Sequence, residues 1–293
     1  MIKKLFVSDL DGTLLNKDKM IDAHSIDVIK KLKLAGHIFC FATGRGWDEC
    51  KKYYEQLGLD TPCIIFNGSK MVSPKNKYFI PNTHSISNDV FYQLWNNDEL
   101  QKEIDYFVIK TAAGNYTSKI PTSPELIKHF DSLFHIDMHK SKNIKKDVLI
   151  RTENRHTDAL SIILVLKEGF NLTNVIREIK SVTHNIEISK WSIDNKGMSS
   201  KVTSRLIIEL NNRAANKLNA VQSIQYYLDI TDENIYVFGD GENDVKVLNY
   251  YNNSIAVKNA GYTALINAHH ISRYSNEESA VGKEIENILA WGK

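Results

Sequence analysis

Cysteine is scarce in this chain of 293 residues, and Cys40, Cys50 and Cys63 form no Cys-x-x-Cys pair. An odd number of cysteines without that spacing argues against a disulfide framework or a cysteine-based zinc site. No apolar run approaches the roughly 20 residues that cross a bilayer. The apolar stretch at the N-terminus is cut by Asp9, far short of the length that an export signal needs. We therefore expect a cytoplasmic protein that does not enter the membrane.

An excess of either charge is also lacking, because 37 Lys and Arg residues face 35 Asp and Glu residues and leave a net charge of +2. This balance gives no electrostatic reason to expect nucleic acid as a partner. The phosphate-binding pattern Gly-x-x-x-x-Gly-Lys-Ser/Thr is absent, and Gly44-Arg45-Gly46 lacks the third glycine of a dinucleotide fingerprint. A nucleotide-dependent kinase or dehydrogenase is therefore disfavoured. The length favours two domains.

The two ends of the chain alternate strand-like and helix-like patterns. Short apolar runs typical of buried strands stop at polar residues, and amphipathic stretches lie between them. This alternation predicts an α/β fold with a doubly wound, mainly parallel sheet, built from residues 1–83 and 210–293. The strand-like runs are Lys4–Ser8, His37–Ala42, Cys63–Phe66, Asn234–Phe238 and Ser254–Val257, and the helix-like stretches are His24–Leu34, Trp47–Leu57 and Leu218–Leu228.

Residues 84–209 lack this regular alternation, and longer polar stretches separate their apolar clusters. We predict that they form an inserted α+β domain with a small core of its own. The segment Lys190–Ser204 shows turn residues and little periodicity. The candidate strands are Tyr106–Ile109, Leu160–Leu166, Ile186–Ile188 and Leu206–Ile208, and the candidate helices are Asp89–Trp95, Pro124–Phe130 and Leu172–Lys180.

Polar clusters follow three of the strand-like runs at the two ends of the chain. They are Asp9–Thr13, Thr43–Arg45 and Gly239–Asp244. Because ligands of open parallel sheets bind outside the carboxyl ends of the strands, we expect these distant clusters to meet in space. Any one of them alone would fit an ordinary turn. Their common position after apolar runs favours a functional site.

Asp9 and Asp11 lie two residues apart on an extended segment, so their side chains point to the same side. Paired carboxylates push their pKa values apart, so one can stay ionised as a nucleophile while the other holds a proton to donate. Attack of an ionised Asp9 on a phosphate needs positive charge, because like charges about 4 Å apart repel by roughly 4 kcal/mol at an effective dielectric near 20. A magnesium ion held by Asp9 and Asp240 would supply that charge.

Further donors suited to a phosphate group occur near these carboxylates in the predicted fold. Thr43 and the backbone amides around Gly44 can hold a phosphate oxygen through neutral hydrogen bonds. Lys217, at the start of a predicted helix before the Asp240 strand, is the candidate for a positive side chain. On its own, a lysine on a helix is most often a solvated surface residue.

Together these motifs resemble the haloacid dehalogenase-like superfamily, and the resemblance covers essentially the whole chain. Asn67–Gly68 and the insertion after it are similar to the Cof-type branch, which carries a large α/β cap. Ala215 and Leu218 depart from the glycines that usually flank the lysine of the third motif. The four motifs of the superfamily are matched here by Asp9–Thr13, Phe41–Arg45, Asn216–Lys217 and Gly239–Asp244.

The resemblance implies that Asp9 is the nucleophile and Asp11 the general acid/base of a hydrolysis that passes through an aspartyl-phosphate. Members that act as dehalogenases lack the second aspartate, so Asp11 favours phosphoryl transfer. The resemblance also implies a catalytic role for Thr43 and Lys217. The residues that would bind the substrate phosphate are Thr43, Gly44, Lys217 and Asn243.

The resemblance further implies a Mg²⁺ site. Asp240 would ligate the ion together with Asp9 and the backbone of Asp11. Asn243 and Asp244 would support this site.

We therefore predict a magnesium-dependent phosphatase that acts on a small phosphorylated metabolite, such as a sugar phosphate or a phosphorylated cofactor. The cap would select the substrate, and the protein would be a monomer or a weak homodimer. Two alternatives stay open. One is a phosphomutase or phosphotransferase that uses the same aspartyl-phosphate, and the other is a catalytically silent regulatory protein that binds a metabolite.

Overall fold

The computed structural model describes residues 2–76, 78–79, 83–112, 114–134, 136–143, 159–193 and 205–291. It divides into two compact units, of which one comprises residues 1–83 and 215–293 and the other residues 84–214. The chain re-enters the first unit after Ala214, beyond the predicted residue 210, because the last strand of the inserted unit continues to Asn212. No helix in the described part of the chain is long and apolar enough to cross a membrane.

The N-terminal part of the first unit follows the predicted alternation of strands and helices. Its first helix begins at an aspartate cap, where Asp22 accepts a hydrogen bond from the backbone N–H of Ser25 at 2.8 Å. Gly36 follows that helix with φ +82°, a left-handed conformation that suits glycine. The elements are β1 (Leu5–Ser8), α1 (Ala23–Leu34), β2 (Ile38–Phe41), α2 (Trp47–Gln56), β3 (Cys63–Ile65) and β4 (Lys70–Val72).

The described residues of the inserted unit form a six-stranded sheet that is antiparallel except for one pair, β6 (Gly114–Thr117) and β7 (Lys142–Asn143). All the strands and helices predicted here are present, and β6, β7 and a helix, α4 (Asp98–Glu103), occur in addition. Residues 194–204 of the segment without predicted elements lie outside the described residues. The elements are α3 (Asn88–Trp95), α4 (Asp98–Glu103), β5 (Ile104–Thr111), β6 (Gly114–Thr117), α5 (Pro124–Phe134), β7 (Lys142–Asn143), β8 (Ser161–Leu166), α6 (Leu172–Val182), β9 (Ile186–Ile193) and β10 (Arg205–Asn212).

This sheet buries apolar side chains on both of its faces. Along β5, Phe107 and Ile109 join a core that contains residues of α3 and α6, whereas Tyr106 and Val108 join a core that contains residues of α5. Successive side chains of a strand point to opposite faces, so one strand serves both cores. The strand order is β7, β6, β5, β8, β10 and β9.

The C-terminal part returns to the first unit and completes its five-stranded sheet. The strand order is β13 (His270–Ile271), β12 (Ser254–Ala256), β11 (Ile235–Gly239), β1 and β2. All neighbouring strands in this sheet run parallel. The predicted α/β fold with a mainly parallel sheet is therefore confirmed. The elements are α7 (Lys217–Leu228), β11 (Ile235–Gly239), α8 (Val245–Tyr250), β12 (Ser254–Ala256), α9 (Tyr262–Asn267), β13 (His270–Ile271) and α10 (Ala280–Leu289).

The third predicted parallel strand differs in its pairing. β3 pairs antiparallel with β4, and its link to the strand before it is one parallel bridge between Ala42 and Ile64. The physical reason is that the chain reverses immediately after β3. Phe66, Asn67 and Gly68 all have positive φ, and this turn directs the chain back along β3.

Candidate active site

The nucleophile predicted from the sequence follows an interior strand of the parallel sheet. β1 has β11 on one side and β2 on the other, and Asp9 comes directly after it. The backbone N–H of Asp9 donates to the carbonyl of Phe238 at 2.9 Å, which brings Asp9 close to Asp240 at the end of β11. Thr43 leaves the sheet after β2 on the other side. The three polar clusters thus share one edge of the sheet.

Three carboxylates meet at this edge. Asp9, Asp240 and Asp244 each offer an oxygen, and these oxygens lie within 4.8 Å of one another. Asp9 and Asp244 are buried, and Asp240 is half-buried. Such a group of oxygen ligands has the chemistry that Mg²⁺ prefers.

Lys217 is the cation of this cluster. As the first residue of α7, it is 1% exposed, and its Nζ lies 2.6 Å from Oδ1 of Asp9 and 2.6 Å from Oδ1 of Asp244. Asn216 caps the helix by accepting a hydrogen bond from the backbone N–H of Asn219 at 2.9 Å, which fixes where the helix begins. A buried ammonium group requires such partners. Lys217 is therefore not the solvated lysine that helix position alone would suggest.

Asp244 uses both of its oxygens within the protein. Oδ1 accepts from Lys217, and Oδ2 accepts from the backbone N–H groups of Asp240 at 3.1 Å and Gly241 at 3.0 Å. A carboxylate with both oxygens engaged holds its neighbours in place. This geometry fits the supporting role predicted for Asp244 better than a direct bond to a metal.

The cluster carries more negative than positive charge. Three carboxylates and one ammonium have a formal sum of −2 when all are ionised. Burial raises the pKa of Asp9 well above its usual value, and burial together with the nearby charge of Asp244 raises the pKa of Asp240 to about 6. Burial alone would lower the pKa of Lys217, but Asp244 and Asp9 raise it above its usual value, so its ammonium stays charged. The residues present thus fit a divalent cation.

Gly12 gives Asp240 the space that it occupies. A Cβ atom at position 12 would lie 2.3 Å from Oδ2 of Asp240, and the residue has φ +80°. Both facts require glycine here. Thr13, the next residue, donates its hydroxyl to Oδ1 of Asp240 at 2.8 Å. The loop after β1 therefore orients a carboxylate that comes from the other end of the chain.

Asp11, the predicted acid/base, is paired with two cations. Arg45 donates from Nε to Oδ2 at 2.6 Å and from Nη2 to Oδ1 at 2.7 Å, and Lys19 donates from Nζ to Oδ1 at 2.7 Å. Burial alone would raise the pKa of Asp11, but the hydrogen bonds and charges of Arg45 and Lys19 hold it far below its usual range. The structure thus presents Asp11 as a carboxylate.

Arg45 and Lys19 are residues that the sequence reasoning did not assign to the site. Arg45 stands in the second motif, which was the available signal, but nothing in the sequence places Lys19 beside Asp11. Tyr53 links the two, because its ring lies 5.7 Å from the guanidinium of Arg45 and its hydroxyl donates to the carbonyl of Lys19 at 2.8 Å.

Thr43 and Asn243, two predicted phosphate-binding residues, lie on different loops of this edge. The hydroxyl of buried Thr43 accepts from the backbone N–H of Arg45 at 3.2 Å. Asn243 donates from its side-chain Nδ2 to Oδ1 of Asn67 at 2.9 Å, instead of contacting the acidic cluster. Asn67, which follows β3, is thus a further residue at this edge of the sheet.

The parallel sheet carries an acidic cluster and a buried lysine at its carboxyl edge, which is the arrangement expected of a phosphoryl-transfer enzyme. Residues 6–285 match the family of haloacid dehalogenase-like hydrolases, and the chain belongs to that family. One relative is the 5-amino-6-(5-phospho-D-ribitylamino)uracil phosphatase YitU of Bacillus subtilis (strain 168). It is 28% identical over 288 residues, which are 98% of this chain and 97% of the relative. The phosphatase YbjI of Escherichia coli (strain K12) has the same substrate in its name. It is 22% identical to this chain, over 98% of this chain and 96% of the relative.

Solved structures agree with this family at the level of the fold. The phosphatase BT1666 of Bacteroides thetaiotaomicron superposes with a TM-score of 0.74 at 16% identity, covering 98% of this chain and 96% of that chain. A HAD/COF-like hydrolase from Plasmodium vivax has a TM-score of 0.66 at 19% identity, covering 99% of this chain and 96% of that chain. The predicted superfamily, its Cof-type branch and the predicted enzyme class, a phosphatase, are confirmed.

Proposed function

We propose that this enzyme is a Mg²⁺-dependent phosphatase that hydrolyses a small phosphorylated metabolite through an aspartyl-phosphate on Asp9. The observation that carries the proposal is the buried cluster in which Lys217 lies 2.6 Å from both Asp9 and Asp244, with Asp240 beside them. A buried cluster with this excess of negative charge lowers the stability of a folded protein, so its presence favours a role in binding or chemistry.

Asp9 has one oxygen engaged and one available. Oδ1 accepts from Lys217, whereas Oδ2 has no hydrogen-bond donor among the described residues. In the first step, Oδ2 attacks phosphorus, the bond from phosphorus to the leaving oxygen breaks, and Asp11 gives that oxygen a proton. In the second step, Asp11 takes a proton from water, the resulting hydroxide attacks phosphorus, and the bond to Asp9 breaks. Asp9 is regenerated and inorganic phosphate is released.

The metal would be held by Asp9 and Asp240, with the backbone carbonyl of Asp11 as the third protein ligand. When bound, Mg²⁺ would supply positive charge that offsets the repulsion between the Asp9 carboxylate and the phosphate. The chain itself keeps these groups in place. Thr13 orients Asp240, and Asp244 fixes both Lys217 and the backbone of the Asp240 loop.

The pairing of Asp11 with Arg45 and Lys19 bears on its two tasks. As a carboxylate, Asp11 is ready to accept a proton from water in the second step. In the first step it must carry a proton, so its contacts with Arg45 and Lys19 have to loosen when the substrate is in place. An anionic substrate bound beside Asp9 would offer these two cations an alternative partner.

The substrate class rests on the names of the relatives. YitU, YwtE and YbjI are all named 5-amino-6-(5-phospho-D-ribitylamino)uracil phosphatases. We propose a small phosphorylated metabolite of this kind, a sugar phosphate or a phosphorylated cofactor, selected by residues of the inserted unit. Measuring kcat/KM for a panel of such phosphate esters, including the aminouracil compound, ranks the candidate substrates.

The proposal is tested with a chromogenic phosphate ester, with Mg²⁺ or with EDTA. We expect Mg²⁺-dependent turnover by the wild type, none by Asp9→Asn, and unchanged turnover by Asp60→Asn, which makes the same change at an exposed position. Acid quenching during turnover should trap radiolabelled phosphate on the wild-type protein and not on Asp9→Asn. Full activity of Asp9→Asn, or full activity in EDTA, would contradict the proposal.

The same preparation separates the two alternatives. A phosphomutase or phosphotransferase returns the trapped phosphate to an added unphosphorylated sugar instead of releasing it to water. A regulatory protein binds a metabolite tightly and shows no turnover under any of these conditions. Measuring the release of inorganic phosphate against the formation of sugar phosphate therefore decides among the three.

A further inference from the structure

The turn Phe66–Gly68 between β3 and β4 has an unusual backbone. Its three residues have φ values of 50°, 54° and 97° in succession. Glycine adopts such values easily, but phenylalanine and asparagine do so only at a cost in free energy. A conformation of this kind persists where the surrounding structure fixes it, and it occurs most often at functional sites.

The first set of contacts joins this turn to the loop Thr43–Arg45 after β2. The backbone N–H of Phe66 donates to the carbonyl of Arg45 at 3.0 Å, and that of Asn67 donates to the carbonyl of Thr43 at 2.9 Å. A Cβ atom at Gly44 would lie 3.1 Å from Oδ1 of Asn67. The left-handed backbone therefore directs two N–H groups at the loop that holds Thr43, and the Asn67 amide lies against Gly44.

The second contact joins the turn to the loop after β11. Oδ1 of Asn67 accepts the hydrogen bond from Nδ2 of Asn243 at 2.9 Å. One hydrogen of the Asn243 amide is used in this bond, and the other remains for an acceptor such as a phosphate oxygen. Asn243 is exposed, so without Asn67 its side chain would be free to adopt other rotamers.

The third contact joins the turn to the helix that carries Lys217. A Cβ atom at Gly68 would lie 2.2 Å from the backbone oxygen of Asn216, so only glycine permits this approach. Asn216 is the cap of α7 and directly precedes Lys217. One short turn therefore touches the segments that carry Thr43, Asn243 and Lys217.

We infer that the turn Phe66–Gly68 is a positioning element for the substrate phosphate, and that Asn67 acts by holding the Asn243 amide toward it. The inference rests on the proposed function, because the phosphate is the ligand that these groups would share. Asn67 is a positioning residue in this scheme, since it acts through Asn243.

The test compares Asn67→Gly, Asn243→Ala and the double variant. Glycine keeps the left-handed backbone and removes the amide, so Asn67→Gly isolates the hydrogen bond. We expect kcat/KM to fall about 10-fold in each single variant, the scale of one hydrogen bond to a charged group. The inhibition constant of inorganic phosphate should rise by a similar factor. Because the two residues act as a unit, kcat/KM of the double variant should be no lower than that of the less active single variant.

Asp229→Gly provides the matched control. Asp229 also has a left-handed backbone, with φ 53°, but it lies exposed at the C-terminal end of α7, away from the site. This variant should leave kcat/KM and phosphate inhibition unchanged, and thermal unfolding of all variants confirms that each is folded. Should Asn67→Gly not fold, Asn243→Ala leaves the turn intact and must still weaken phosphate inhibition.

Two results would overturn the inference. One is an unchanged inhibition constant for phosphate in Asn67→Gly, and the other is additive losses in the double variant. If the wild type hydrolyses phosphate esters, either result refutes the positioning role of Asn67 and leaves the proposed function standing. A wild type without turnover of any phosphate ester refutes the proposed function instead.

Discussion

Replacing Lys217 by methionine is the most direct perturbation of the acidic cluster. Methionine keeps an unbranched apolar chain in the buried space and removes the ammonium that lies 2.6 Å from both Asp9 and Asp244. Removing one partner of a buried ion pair costs about 3–5 kcal/mol, because the remaining charge is left unpaired. We expect Lys217→Met to lower the free energy of unfolding by about this amount at pH 8. We also expect kcat/KM to fall roughly 100- to 1,000-fold, as for the loss of a donor to developing charge.

The pH dependence of this loss follows from Asp9. Burial already raises the pKa of Asp9 above its unfolded value, and Lys217 opposes that rise. Without Lys217 the folded pKa of Asp9 rises further. When the pKa of a carboxyl group is higher in the folded than in the unfolded protein, the free energy of unfolding falls as pH rises. This fall begins near the unfolded pKa and ends once the folded pKa is passed. The deficit of Lys217→Met should therefore be larger at pH 8 than at pH 5.5.

Urea denaturation in EDTA at the two pH values measures this deficit without a contribution from bound metal. Lys51→Met is the matched control, since Lys51 makes an exposed ion pair with Glu55 at 3.7 Å, which contributes about 0.3–0.5 kcal/mol. A loss below about 1 kcal/mol for Lys217→Met at pH 8 would refute the burial of the charge. A loss that does not grow with pH would refute the assigned role of Asp9.

Two further predictions concern the first unit. Gly12→Ala should lower kcat at least about 10-fold and weaken activation by Mg²⁺, because its Cβ would lie 2.3 Å from Asp240. Gly36→Ala has the same strain, at φ +82°, but no atom within 4 Å, so kinetics at varied Mg²⁺ should be normal for it. Asp22→Ala should cost about 1 kcal/mol at pH 7 through the lost helix cap. Burial alone would raise the pKa of Asp22, but hydrogen bonds from Ser25 and Ser279 lower it, so the cost should shrink as pH falls below about 4 in urea titrations.

The sequence predicts the central elements of the fold because their burial leaves a periodic pattern. Runs such as Leu5–Ser8 are buried at every position, and such runs are recognisable without any tertiary contact. The additional elements of the inserted unit have no such pattern. β6 has the sequence Gly-Asn-Tyr-Thr and is a strand because it pairs with β5. Pairing of this kind depends on distant partners and not on local propensity.

A similar limit applies to the candidate site. Residues at strand ends could be predicted to meet, since parallel strands share an edge. The pairing of Asp11 with Lys19 could not be predicted, because it depends on the left-handed backbone of Lys19, with φ 57°. The usual sequence signal of such a backbone is a glycine, and Lys19 is not one. The hydrogen bond between Asn67 and Asn243 joins residues 176 positions apart, and no local pattern relates them.

The division of the parallel sheet between the two ends of the chain has a consequence for biosynthesis. Residues 84–214 leave the ribosome as one continuous segment, so this unit has all of its strands before β11 has been translated. Until then β1 has only β2 beside it, and its other edge is open to pairing with foreign chains. A nascent or truncated product that stops before Ile235 therefore contains Asp9 without Asp240, and it exposes an apolar edge that favours aggregation.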